Sequence, residues 1–203
     1  MSMDLNTGDI VLFSGKGIFS LGIKWITRCK WSHVGMIVMI DNVAHILEST
    51  TMCNVNDIYL NKPISGVQVV PYAERVAAYD GEVGVCQLMW DNEYDLVQAN
   101  EHVEEFIKLH HGKAYEKDKF ELLKSAVDCI GDDNVEDVST LFCSELVIEA
   151  WEAMGVLAEG DLISNEITPS DFVVQPHFSV HDSINHIGNN VTLSTIVRTV
   201  KKG

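Results

Sequence analysis

The sequence predicts one domain spanning residues 1–203, mixed in class, α/β or α+β. Three observations predict it. Strand-like runs fill the first half of the chain and helical stripes the second. Apolar residues make up 46% of the chain, enough to bury a sizeable core at a length only slightly above one average domain. Only four prolines occur, and neither a long low-complexity stretch nor a repeat period is visible.

Asp9-Ile-Val-Leu-Phe13 follows a Thr-Gly turn and predicts a short strand. Ile18, Leu21, Trp25 and Cys29 recur at helical spacing. Val34-Gly-Met-Ile-Val-Met-Ile40 is almost wholly apolar and suits a central strand buried on both faces. Asp41-Asn42 is good turn chemistry, so Ala44-His-Ile-Leu-Glu-Ser49 predicts the return strand of a hairpin. Runs 67–72 and 83–89 are two further strand candidates. Leu96, Val97, Val103, Phe106 and Ile107 then form a helical stripe that stops near Gly112. Phe120, Leu123, Val127 and Ile130 form another, stopped by Gly131. Residues 131–137 are an acidic connector without the ligand spacing of a calcium loop. Residues 141–154 predict the clearest helix, closed by Gly155. The tail carries a last strand candidate near 191–200.

The formal net charge of −16 repels phosphate backbones and anionic membrane surfaces, so nucleic acid is not an expected partner. Lys16, Lys24, Arg28 and Lys30 form a local basic cluster, which reads as a solvated helix face. The first residues lack a basic region followed by an apolar run, and no stretch of ~18 apolar residues occurs. No signal peptide or membrane helix is therefore expected, and the expected location is cytoplasmic. Five cysteines without a CxxC pair argue against a disulfide framework and fit a reducing compartment.

Cys143 is the cysteine whose position predicts chemistry. Ser139 and Thr140 precede it, and with Thr140 as N-cap it is the third helical residue. Free N–H groups and the helix dipole there favour a thiolate. Position alone leaves this level with a small buried hydrophobe. Cys29, Cys86 and Cys129 lie late in a helix, mid-strand and near a helix end, and together with Cys53 read as structural.

A nucleophilic thiol needs a base, usually histidine. His110 and His111 end a helix, where a cation suits the dipole, and read as surface residues. His177, His181 and His186 lie in the irregular tail, and no histidine pair has HExxH metal spacing. His33 opens the most apolar strand, a rigid place for a catalytic side chain, with a satisfied core histidine as the alternative. A two-residue Asp41-Asn42 turn pairs Ile40 with Val43. Glu48 then falls diagonal to His33 on the same face, within reach of long side chains, and His45 falls on the other face.

Leu5-Asn-Thr-Gly-Asp-Ile-Val-Leu-Phe13, Trp31-Ser-His-Val-Gly-Met-Ile37, His45-Ile-Leu-Glu-Ser49 and Phe142-Cys-Ser-Glu-Leu-Val147 stand in this order. Together they resemble the circularly permuted NlpC-type branch of the papain-like cysteine hydrolases, which includes YiiX-like proteins and the lecithin–retinol acyltransferase relatives. In that branch the histidine strand precedes the cysteine helix, as here. Gly112-Lys-Ala-Tyr115 and Thr168-Pro-Ser-Asp-Phe172 resemble two further segments of the family. The resemblance covers most of residues 5–175. It implies an α+β fold with an antiparallel sheet packed on the cysteine helix, and a catalytic triad of Cys143, His33 and Glu48. It also implies that Tyr115 approaches the thiol or the substrate. Acyltransferase members often carry a second histidine where Glu48 stands, so Glu48 favours the hydrolase side.

The expected function is hydrolysis through an acyl-enzyme thioester, on a peptide or another acyl-containing substrate, with no metal or organic cofactor. Family analogy points to an amidase or peptidase acting on cell-wall-type peptides. A lipid or thioester acyl hydrolase or acyltransferase is the first alternative. A non-catalytic binding module on the same scaffold is the second.

Overall fold

In the computed structural model the described residues are 4–16, 30–90, 93–113, 139–157, 167–169, 171–173, 191–193 and 198–200. The expected helix around 18–29, the stripe at 120–130, the acidic connector at 131–137, Tyr115, Cys29, Cys129 and the tail histidines lie outside them.

The apolar N-terminal run forms strand β1, Ile10–Gly15, and its side chains alternate between two cores. Ile10 and Leu12 enter one cluster, while Val11 and Phe13 enter the other. Strand β2, His33–Ile40, divides likewise, with Val34, Met36 and Val38 on the first face and Ile37 on the second. A sheet covered on both faces explains why these strands read as continuous apolar runs rather than alternating ones. Asp41 and Asn42 both have left-handed φ values, 50° and 62°, as a two-residue hairpin turn of type I′ requires. Strand β3, Val43–Thr50, returns with Ile40 opposite Val43 and Met36 opposite Leu47.

Strand β4, Gly66–Pro71, pairs with β3 and leads directly into a seven-residue helix, α1, Tyr72–Ala78. This corrects the expected strand at 67–72. Pro71 cannot donate to a ladder, and its φ of −60° suits a helix entry, so Tyr72 is already helical. Strand β5, Gly81–Cys86, returns antiparallel to β1. The expected strand at 83–89 breaks at Gln87, because the Asp9 carboxylate accepts the Leu88 N–H at 2.8 Å in place of a ladder carbonyl. Strand β6, Leu88–Trp90, therefore belongs to a separate two-stranded sheet with β7, Val191–Leu193. Strand β8, Arg198–Thr199, adds to β5. The main sheet runs β4-β3-β2-β1-β5-β8, and every neighbour is antiparallel. The class is α+β.

Helix α2, Glu93–His110, buries Val103, Phe106 and Ile107 of its expected stripe and Ala99 besides, whereas Leu96 is only half-buried and Val97 is exposed. Helix α3, Ser139–Ala153, packs across β2 and β3. Leu146, Val147, Ile148 and Trp151 are buried in the first core, each large apolar side chain contributing ~1.5–3 kcal/mol. Trp151 Nε1 also donates to the Gly8 carbonyl at 3.1 Å, which ties α3 to the turn before β1. The helix starts earlier than its pattern suggests. Ser139 is itself helical, so Ser139 and Thr140 lie inside the helix and Cys143 is its fifth residue rather than its third. Both residue types are tolerated in an opening turn, and the side-chain pattern starts only at Leu141. Among the described residues, no helix is long and apolar enough to cross a membrane.

Candidate active site

His33 is the first residue of β2 and pairs with Phe13 of β1. Its ring lies 5.3 Å from the Phe13 ring, on the sheet face that also carries Ile37. The hairpin register puts Glu48 on this face, and His33 Nε2 lies 2.8 Å from Glu48 Oε2. Gly35 makes the meeting possible. A Cβ there would sit 2.7 Å from Ile46 Cγ2 and 3.2 Å from Glu48 Cβ, so any side chain would push β3 away.

Glu48 has no exposed surface, and a buried carboxylate ordinarily takes up a proton. Here four side-chain bonds hold it ionised. Oε1 accepts from Arg75 Nε at 2.6 Å and from Gln68 Nε2 at 2.8 Å. Oε2 accepts from Arg75 Nη2 at 3.1 Å and from His33 Nε2. Burial raises the carboxyl pKa, but the Arg75 charge, followed by the His33 bond and charge, outweighs it and brings it down to about 2. An ionised carboxylate only accepts, so His33 Nε2 carries the proton of this bond.

Cys143 is fully buried, near the start of α3. It is close enough to His33 to influence the ring by charge and hydrogen bonding, while Glu48 holds Nε2. Burial pulls the His33 pKa down. The negative charge and hydrogen bond of Cys143, joined by those of Glu48, win and push it up to about 9. The structure thus brings Cys143, His33 and Glu48 together: a thiol, an imidazole and a carboxylate in series. Two sheet faces contribute, since α3 packs on the face opposite His33, and the groups meet where β2 begins.

The other candidates are placed elsewhere. His45 Nδ1 donates to the Val43 carbonyl at 2.9 Å, and its strand position sends it to the other face. Cys86 is buried at the end of β5 rather than mid-strand, and burial, with the Asp9 charge, pushes its thiol up to about 12. Cys53 is exposed. His111 is not a free surface group, because its Nε2 lies 2.8 Å from Asp57 Oδ2. Among the described residues, no group of three or more His, Cys, Asp or Glu side chains is arranged to hold a metal ion.

Sequence reasoning missed Arg75 and Gln68. Both come from the stretch after the 51–65 loop, whose length hides the β3–β4 register. Glu48 in fact stands directly opposite Gln68. Arg75 sits on a helix too short to show a periodic stripe. Base, carboxylate and cation are therefore all supplied by consecutive elements, β2, β3, β4 and α1.

No family model matches the chain, and no curated protein matches it. Among solved structures it is similar to the metalloprotein YiiX from Escherichia coli O157:H7, at 21% identity and a TM-score of 0.48. The match covers 74% of this chain and 66% of that one, just under two thirds of its length.

Proposed function

We propose that the protein is a thiol-dependent hydrolase of the permuted NlpC-type papain-like class, with Cys143 as nucleophile, His33 as general base and acid, and Glu48 as the residue that orients His33. The observation that carries this reading is the buried imidazole, which interacts both with Cys143 and with an ionised Glu48. His33 holds the thiol proton as an imidazolium, as its pKa of about 9 requires, and the Cys143 thiolate attacks the substrate carbonyl carbon. The leaving amine departs with the proton from His33, leaving a thioester on Cys143. His33 then deprotonates water, which releases the acid and restores the thiol. Backbone N–H groups at the start of α3 would serve as oxyanion donors. The substrate class is an amide-linked peptide, which the sequence resemblance extends to cell-wall-type peptides.

Cys143 has no exposed surface, so attack requires its cover to open, and a small alkylating reagent reports on that opening. The test is the iodoacetamide rate at each cysteine against pH, in wild type and His33→Ala. Cys143 is expected to react faster than exposed Cys53 below pH 7 and to lose that advantage in the variant. If Cys53 reacts and Cys143 does not, or if Cys143 titrates like a free thiol near ~8.5, the hydrolase reading falls and a non-catalytic module takes its place.

A further inference from the structure

Among the described residues, Arg75 is the cation that touches Glu48 without touching a reacting group. It has no exposed surface, and its guanidinium lies over the Phe13 ring at 5.0 Å and the Tyr79 ring at 5.5 Å. Its Nε and Nη2 reach the two different oxygens of Glu48. Nη2 is also 3.7 Å from Met52 Sδ, while Nη1 is buried without a partner. A buried cation with a donor left over is costly in stability.

We propose that Arg75 is a positioning residue for the Cys143–His33 pair, keeping Glu48 an anion and thereby setting the His33 tautomer and balancing the charge of a thiolate–imidazolium pair. This inference rests on the hydrolase reading above. Two arguments lead to it. The first is tautomeric. Without the cation, buried Glu48 takes up a proton and becomes a donor to Nε2. The ring proton then moves to Nδ1, and His33 loses the lone pair that accepts the Cys143 proton. The second is a charge count. With Arg75 and Glu48 both ionised, imidazolium and thiolate complete a neutral set of four. Remove Arg75 and the same set carries one net negative charge in a dry site, which drives a proton back onto the sulfur. The charged groups facing Glu48 among the described residues are Arg75 from α1 and His33 from β2; Gln68 from β4 is neutral.

The test is the pH profile of Cys143 alkylation in Arg75→Gln and Arg75→Lys, each checked for folding by circular dichroism. In Arg75→Gln the midpoint is expected to rise by at least ~1 pH unit, cutting the rate at pH 6 by at least ~10-fold. Arg75→Lys, which keeps the charge, is expected to recover most of that loss. An unchanged midpoint in folded Arg75→Gln, even with a lower melting temperature, overturns the proposal and leaves Arg75 a purely structural residue. A second measurement needs no variant. Nitrogen-15 NMR of wild-type His33, taken between pH ~9.5 and ~11 where the ring is neutral, is expected to show its proton on Nε2. A neutral Nδ1–H tautomer in that range overturns the proposal even if neither variant folds. The two readings fail separately. Wild-type Cys143 without a His33-dependent reaction removes the hydrolase, whereas a wild-type reaction that survives Arg75→Gln removes only the role of Arg75.

Discussion

Among the described residues, two histidine–carboxylate pairs stand at the same 2.8 Å separation, His33–Glu48 and His111–Asp57, with contrasting surroundings. Asp57 spends its oxygens largely on the backbone. Oδ1 accepts the N–H groups of Tyr59 and Leu60, and Oδ2 accepts that of Val69. Together with Asp57 N–H to Lys62 O, these bonds fasten a turn to β4, and His111 adds the end of α2. Such a carboxylate is a staple for the chain. Glu48 instead receives its four bonds from side chains on three other elements, one of them a cation, and its histidine also interacts with a thiol. A histidine–carboxylate contact alone therefore distinguishes nothing. What differs is whether the carboxylate secures backbone or secures a charge, and whether the histidine also meets a thiol.

This contrast sets the expected outcomes. The largest separates the histidines: His33→Ala lowers the Cys143 alkylation rate at pH 6 by at least ~100-fold, and His111→Ala leaves it unchanged. Equal effects would end the distinction. Next come the carboxylates, measured by urea unfolding. Glu48→Gln strands a buried guanidinium and costs about 3–5 kcal/mol, whereas Asp57→Asn weakens backbone bonds and costs about 1–3 kcal/mol. The pH dependence of the melting temperature sharpens the comparison. Glu48, depressed from 4.5 to about 2, contributes stability that is present above pH 4.5 and lost as pH falls toward 2. His33, raised from 6.5 to about 9, contributes stability that is full below pH 6.5 and lost as pH rises through about 9. The alkaline loss is expected to vanish in His33→Gln and to persist in His111→Gln. The smallest expected effect is that of Gly35→Ala. Its Cβ crowds Ile46 and Glu48, costs about 1–3 kcal/mol, and slows Cys143 alkylation by shifting Glu48; a variant with wild-type reactivity would show that the contact tolerates movement.

Much of this arrangement is legible in sequence because it is local. Asp41-Asn42 selects a two-residue turn, the turn sets the register, and the register puts His33 and Glu48 on one face and His45 on the other. Helix α3 is legible from its apolar run, but its start is not, because Ser139 and Thr140 suit an N-cap and an opening turn equally well. The second half of the charge cluster is illegible for a different reason. Residues 51–65 form no long element, so nothing in them counts out the pairing of Glu48 with Gln68. Asp57 lies in that same stretch, and its three backbone partners are a property of the folded turn rather than of any spacing. The split at Gln87 likewise depends on a side chain far away in sequence, Asp9.

The base, its carboxylate and the cation occupy consecutive elements from β2 to α1, while the thiol belongs to a helix encoded well downstream. Chains emerge from the ribosome amino end first, so the nucleophile is made after everything that activates it. A nascent or truncated chain lacking α3 has a base with nothing to deprotonate. One in which α3 is made but undocked carries an ordinary thiol. Under the proposed hydrolase reading, chemistry begins only once synthesis has passed Cys143 and α3 has docked, so an unfinished chain cannot attack its neighbours.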